Sequence, residues 1–227
     1  RSRLVNKPDK SVELLPEKCP KCQCIEFSRI SRHTKIVVDV HFMRNGVKKW
    51  AIGYHGGSFQ CSRCHRRFVP IDLKKLIHCG PNLTIWTVNQ YVQYRVSLER
   101  LVEMILDLFN IQVSTYEVFK CKRRLAEQYR ETYEEIQRSV VKGNLIHADE
   151  TVAKLRGSAE GYVWVFTNMD SVFYLYRSNR EAGFLQDLLK RFSGVLVSDF
   201  YPGYDALSCA QQKCLAHLIR DMNDWTL

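Results

Sequence analysis

The chain has 227 residues, a formal charge of +10, and 45% hydrophobic against 26% charged residues. That composition fits a folded chain of one to two domains. No apolar run approaches the roughly 18 residues needed to cross a bilayer, and the first ten residues lack an apolar signal core, so neither a membrane span nor a secretory signal is expected.

The charge is uneven. Residues 1–145 carry 26 Lys/Arg against 14 Asp/Glu, and residues 146–227 carry 8 against 10. A basic front half suits a polyanionic partner, although a solvated surface has the same composition. A near-neutral back half suits a site that needs cations. Nine Cys, an odd number, argue against a full disulfide framework. Two C-x-x-C pairs point instead to metal in a reducing compartment.

In chain order, residues 1–15 read as a polar, mobile lead-in. Residues 16–80 contain Cys19-Pro20-Lys21-Cys22 and Cys61-Ser62-Arg63-Cys64. A two-residue spacer lets two thiolates from one tight turn reach one ion, so the two pairs predict a closed, four-thiolate structural zinc site, a zinc ribbon. The 38 intervening residues exceed the usual spacing of roughly 15–20. A hairpin accounts for the excess: Ile36–Met43 and Lys48–Tyr54 flank Asn45-Gly46, expected as a type I′ turn. His55-Gly56-Gly57 is expected to break the second strand. Cys24 and His65, next to ligand positions, read as bystanders, and His78 and Cys79 as ordinary residues. Arg63, Arg66 and Arg67 form a basic patch suited to phosphate.

Residues 81–142 read as helical. Leu83–Val96 starts near Thr84, a candidate cap. Ser97 precedes the apolar stripe Leu98, Leu101, Val102, Ile105, Leu108 and Phe109. Ser114 with Glu117 is a capping-box pair opening a helix that runs toward Ile136 and ends at Lys142-Gly143-Asn144. The two helices and their short connection match a helix-turn-helix. Ser114, Thr115 and Tyr116 at the second helix's start suit base edges and phosphates, and Lys120, Lys122, Arg123 and Arg124 suit the DNA backbone. A plain helical hairpin between two domains is the competing reading.

From residue 143 the period changes. Leu145–Thr151, Gly161–Asn168, Ser171–Arg177 and Gly194–Asp199 read as strands. Glu181–Phe192 and Ala210–Trp225 read as helices. This β-β-β-α-β-α order is the start of an RNase H-like α/β fold. Asp149 ends the first strand and Asp199 the fourth. Neighbouring strand ends can bring both carboxylates to one site, as two-metal phosphodiester chemistry requires. Glu150 alternates to the opposite face and reads as structural. Cys214 and His217, three apart, fall on one face of the last helix; His217 either orients an acid or the scissile phosphate, or packs with Cys214 as support.

Ile146–Thr151, Gly161–Asn168, Leu196–Tyr201 and Gln212–Asp221 resemble the catalytic region of insertion-sequence transposases of the DDE class, in particular the IS-sixty-six type. The order of ribbon, helix-turn-helix and catalytic region over residues 19–227 also resembles that family. The resemblance implies an enzyme, a DNA transposase. Asp149 and Asp199 would be the first two acids of a metal-binding triad holding two Mg2+, and His217 would serve at the catalytic site. It also implies double-stranded DNA as partner (terminal inverted repeats and target), a homo-oligomer, and a cytoplasmic, nucleoid-associated location in a prokaryote. The family's third acid is a Glu on a later helix, and this sequence stops at Leu227. A truncated chain, fragment or decayed element, that does not catalyse strand transfer alone is therefore expected. Two rivals stand beside this reading: an RNase H-like nuclease or resolvase, and a zinc-ribbon and helix-turn-helix DNA binder with a vestigial catalytic fold.

Overall fold

The computed structural model describes residues 7–154 and 160–224. It is a mixed α/β chain with two mixed sheets and, among the described residues, seven α-helices. It forms two compact units, Arg1–Gln128 and Tyr129–Leu227. Their boundary falls inside the 81–142 segment read above as one helical region.

The first unit is built on a long antiparallel ribbon, β2 (Phe27–Met43) with β3 (Gly46–Cys61). β1 (Lys10–Glu13) adds to β3 in parallel and β4 (Arg67–Phe68) adds in antiparallel. Residues 10–13 of the supposed lead-in are thus an ordered strand. β3 offers them an unpaired edge, a driving force that polar composition does not reveal. The start of that lead-in, residues 1–6, lies outside the described residues.

Two turn expectations are corrected. Met43 pairs with Gly46, so Arg44 and Asn45 form the tip. Asn45 has no positive φ and only Gly46 does, at 137°. A type I′ turn needs positive φ at both central residues, so this is a different turn with the glycine after the tip. Nor does His55-Gly56-Gly57 break β3, which continues to Cys61. The register slips between Arg29 and Ser31, and a Cβ on Gly57 would sit 1.8 Å from the Ser31 carbonyl oxygen. Glycine there lets the bulged partner strand come close.

Four helices complete the unit: α1 (Ile71–Lys75), α2 (Pro81–Gln93), α3 (Leu98–Phe109) and α4 (Thr115–Gln128). Thr84 is not the cap of α2. It is buried inside the helix and its hydroxyl donates to the Cys79 carbonyl. The helix starts after Gly80, with Pro81 in its first turn, and its cap comes from β2. The buried Asp39 accepts from the N–H of Leu83 at 2.7 Å and of Asn82 at 3.3 Å. A carboxylate at a helix N-terminus satisfies orphan donors and meets the positive end of the dipole. Ser97 caps α3 by accepting from the N–H of Arg100, and Asn110 ends it with φ 50°. The capping box of α4 is present: Ser114 N–H donates to Glu117 Oε2 at 2.7 Å, and Glu117 N–H donates to Ser114 Oγ at 3.3 Å. The core joins Val38 and Val40 of the ribbon to Leu83, Leu101, Ile105, Ile111 and Val118.

The second unit begins with α5 (Arg130–Val141). The expected single helix from Ser114 toward Ile136 is interrupted at Tyr129, where ψ is 15°. The sheet has the order β7-β6-β5-β8-β9, from β5 (Leu145–Ala153), β6 (Gly161–Thr167), β7 (Val172–Arg177), β8 (Val195–Ser198) and β9 (Ala210–Lys213). β5, β6 and β7 form an antiparallel meander, and β8 and β9 run parallel to β5. α6 (Gly183–Leu188) is shorter than the expected 181–192. Ala210–Trp225 is not one helix. Residues 210–213 are the edge strand β9, and the helix is α7 (Leu215–Asp224), with Trp225 outside the described residues. Pairing to β8 satisfies the backbone of Ala-Gln-Gln-Lys, overriding its local helical preference. Ile146, Trp164, Phe166, Phe173, Leu185, Leu196 and Tyr204 pack the core between the sheet and its helices.

Candidate metal centres and nucleic-acid interface

The hairpin returns the chain to its origin, pairing Phe27 with Cys61, so the two C-x-x-C turns meet. Cys19, Cys22, Cys61 and Cys64 place their sulfurs within 4.8 Å of one another. Cys19 Sγ lies 3.6 Å from Cys64 Sγ, and Cys22 Sγ 3.5 Å from Cys61 Sγ. The two turns share one geometry. The residue after each second Cys, Gln23 or His65, takes a positive φ (59° and 55°) and returns its N–H to the carbonyl of the first Cys. The backbone N–H of Cys64 lowers the Cys61 thiol to about 6, against the effect of burial. The N–H of Cys22 likewise lowers Cys19. The N–H of Cys24 favours the Cys22 thiolate, but burial and three neighbouring thiols outweigh it and push that thiol up to about 12. Four soft donors converging on one point can hold a metal such as zinc. Cys24 and His65 stand outside this group.

The second cluster is where β8 ends beside β5. Leu145, Ile146 and His147 pair in parallel with Val195, Leu196 and Val197; β8 then stops at Ser198, while β5 runs on to Ala153 paired with β6, so Asp149 lies inside its strand and not at the strand end expected. Asp149, Glu150 and Asp199 each bring a carboxylate oxygen within 4.8 Å of the others. Asp149 is half exposed. Asp199 is partly buried and fixed by the N–H of Tyr201, 3.0 Å from its Oδ1. Hard carboxylate oxygens at this spacing can bind a divalent cation such as Mg2+.

Glu150 belongs to the cluster, which strand alternation alone did not indicate. Its side chain is only 2% exposed. The Arg180 guanidinium donates twice to Oε1, from Nε at 2.9 Å and Nη2 at 2.5 Å, and the Tyr204 hydroxyl donates to Oε2 at 3.0 Å. A buried carboxylate needs such partners. The Arg180 guanidinium also sits 4.2 Å from the Tyr201 ring centroid. Burial, and then the Glu150 carboxylate, hold the Tyr204 phenol well above its ordinary value. Arg180 and Tyr204 carry no spacing signal, being a loop Arg and a turn Tyr; Tyr201 lies in the stretch that resembles the transposase region but has no role assigned by it.

His217 Nε2 is 4.0 Å from Asp149 Oδ2, so the structure brings this residue to the acids. Its Nδ1 is buried without a hydrogen-bond partner among the described residues. Cys214 is not on the helix face. It immediately precedes α7, donating its N–H to the Ser198 carbonyl at 2.7 Å and accepting the N–H of Leu218. The backbone N–H of His217, then its ring, lowers the Cys214 thiol.

The remaining candidate residues are on the first unit. Arg63, Arg66 and Arg67 are all exposed on and beside the second cysteine turn. At α4, Thr115, Tyr116, Arg123 and Arg124 are exposed. Ser114 is engaged with Glu117 as a cap. Lys120 Nζ sits 4.5 Å from the Tyr116 ring centroid, Lys122 Nζ sits 3.5 Å from that of Tyr91, and Arg123 pairs with Glu127 at 2.9 Å. That pair is exposed and weakly held, so it leaves Arg123 available to a phosphate.

Residues 77–226 match the Transposase IS66 family, and the chain belongs to that family. A comparison with curated proteins finds no match. Membership makes this a transposase-type, DNA-processing protein by family, with DNA as its partner. Among the described residues no helix is long and apolar enough to cross a membrane.

Proposed function

We propose that this chain is a DNA-binding transposase module whose second unit is an RNase H-like catalytic fold of the DDE class. The supporting observation is the meeting of Asp149, inside β5, with Asp199, just past the end of the parallel neighbour β8. Within this reading residues 16–80 are a zinc ribbon, 81–142 contain a helix-turn-helix from α3 and α4, and 143–227 carry the chemistry. Arg63, Arg66 and Arg67, with Ser114, Thr115, Tyr116, Lys120, Arg123 and Arg124, hold duplex element ends. The complex works as a homo-oligomer.

Asp149 and Asp199 would supply the first two carboxylates of a triad holding two Mg2+, which when bound would supply the positive charge that activates water and stabilises a leaving oxygen. Glu150 adds negative charge behind them while Arg180 and Tyr204 keep it in place. His217 orients Asp149 or the scissile phosphate.

Iron-mediated affinity cleavage tests the site. Fe2+ substituted for Mg2+, with ascorbate and peroxide, cuts a polypeptide next to where the ion binds. Cuts near residues 149 and 199, abolished by Asp149→Ala and by Asp199→Ala, are expected. Cuts elsewhere, or cuts surviving both variants, overturn the metal reading. Gel shifts of element-end duplexes across a salt series test the front half separately, with loss expected in Arg66→Ala/Arg67→Ala and a slope set by the phosphates neutralised.

A further inference from the structure

Cross-strand register places Trp50 opposite Asp39, Ile52 opposite Val37, Lys48 opposite His41 and Tyr54 opposite Lys35. Directly paired residues share a sheet face, so Trp50, Ile52, Tyr54, Lys48 and His41 lie together. The opposite face, with Val38 and Val40, is covered by the core with α2, α3 and α4. The Trp50 face instead opens on a groove of about 710 Å3, bounded by Gly80, Pro81 and Asn82 at the start of α2.

The groove's lining is aromatic and apolar, with Trp50, Tyr54, Phe42, Met43 and Ile52, and it is flanked by cations. Lys48 Nζ sits 5.6 Å from the Trp50 ring centroid, and the His41 ring meets Trp50 edge-on at 6.2 Å. Lys10 lines the same groove. Asp39 is its acid among the described residues, and both oxygens are occupied by Asn82 and Leu83 at the start of α2. The groove therefore presents positive charge and π faces with no free carboxylate.

We propose that this face binds single-stranded DNA, with unpaired bases stacked on Trp50 and Tyr54 and phosphates held by Lys48 and Lys10. An intact duplex hides its base faces in its own stack, so only unpaired bases can use the Trp50 ring. Flanking cations favour a polyanion over an acid-poor apolar peptide. The residues from Lys10 to Tyr54 precede the family match at 77–226, and the groove shares no residue with the cysteine cluster or the carboxylates.

The test uses the zinc-loaded full chain and two fluorescent probes, an oligothymidine and a duplex hairpin, read by anisotropy at fixed salt. Trp50→Ala is expected to weaken oligothymidine binding by about tenfold and leave duplex binding unchanged, while Trp50→Phe retains most of the affinity. Unchanged oligothymidine affinity in Trp50→Ala overturns the proposal. So does an equal loss for both probes, which marks a generic electrostatic contact, or a shift in oligomeric mass with no loss of oligothymidine binding, which marks an interface between copies. Should Trp50→Ala not fold, photocrosslinking of 5-iodouracil oligonucleotide to the unaltered chain decides: adducts on the Trp50–Tyr54 peptide support the site, and adducts confined elsewhere overturn it.

Discussion

Arg180 donates two hydrogen bonds to a single oxygen of Glu150, a carboxylate that is 2% exposed and borders the Asp149–Asp199 pair. The three acids are thus unequal. Glu150 is held by side-chain donors, whereas Asp149 is half exposed, accepting the Glu150 N–H at Oδ1 with His217 Nε2 4.0 Å from Oδ2. Mutual repulsion among three anions is offset by one guanidinium rather than left to solvent.

Removing Arg180 leaves Glu150 buried with only the Tyr204 hydroxyl. Arg180→Ala is expected to lower unfolding free energy by about 1–3 kcal/mol, below the full cost of a broken buried pair because Arg180 is itself 46% exposed. Urea unfolding measures it. Arg180→Ala/Glu150→Gln should recover part of the loss, since a neutral amide needs less compensation.

Tyr204 gives a pH signature. Its folded value is raised above the ordinary 10.0, so the folded state retains a proton that the unfolded chain releases. The stabilisation is whole below about pH 10 and is lost as pH rises above it. The melting temperature of the full chain should fall across this alkaline range, and Tyr204→Phe should flatten the fall. An identical pH profile in the variant would contradict the burial assigned to this phenol.

The cysteine cluster predicts one zinc per chain. Metal analysis of protein purified without chelator should find it, and Cys22→Ser or Cys61→Ser should abolish it. Chelation is expected to unfold the ribbon end, because structural zinc contributes folding energy directly. Loss of β signal in circular dichroism on adding chelator, reversed by zinc, is the readout. Cys24→Ser should leave zinc content unaltered.

Asp39→Ala removes the cap of α2 supplied from β2. A loss of about 1–2 kcal/mol is expected, seen as a lower urea midpoint. Thr84→Val, which touches no cap, should not reproduce the loss of α2 protection in amide exchange.

Local signals carried much of this chain. Two C-x-x-C turns, the Ser114/Glu117 capping box and the position of Asp199 after its strand depend on neighbours within a few residues, so they can be read from order alone; the end of the strand carrying Asp149 could not, because pairing with β6 carries β5 on to Ala153. Partners distant in sequence could not. Asp39 caps a helix 44 residues away, Gly57 is required by a bulge in the facing strand, and β9 is a strand only because β8 offers an edge. Glu150 joins the acid cluster because Arg180 and Tyr204, 30 and 54 residues on, come back to meet it. Periodicity and spacing encode what one segment prefers. Which carboxylate is neutralised, which edge is filled and which face of the ribbon stays open are set by contacts that exist only once the chain has closed on itself.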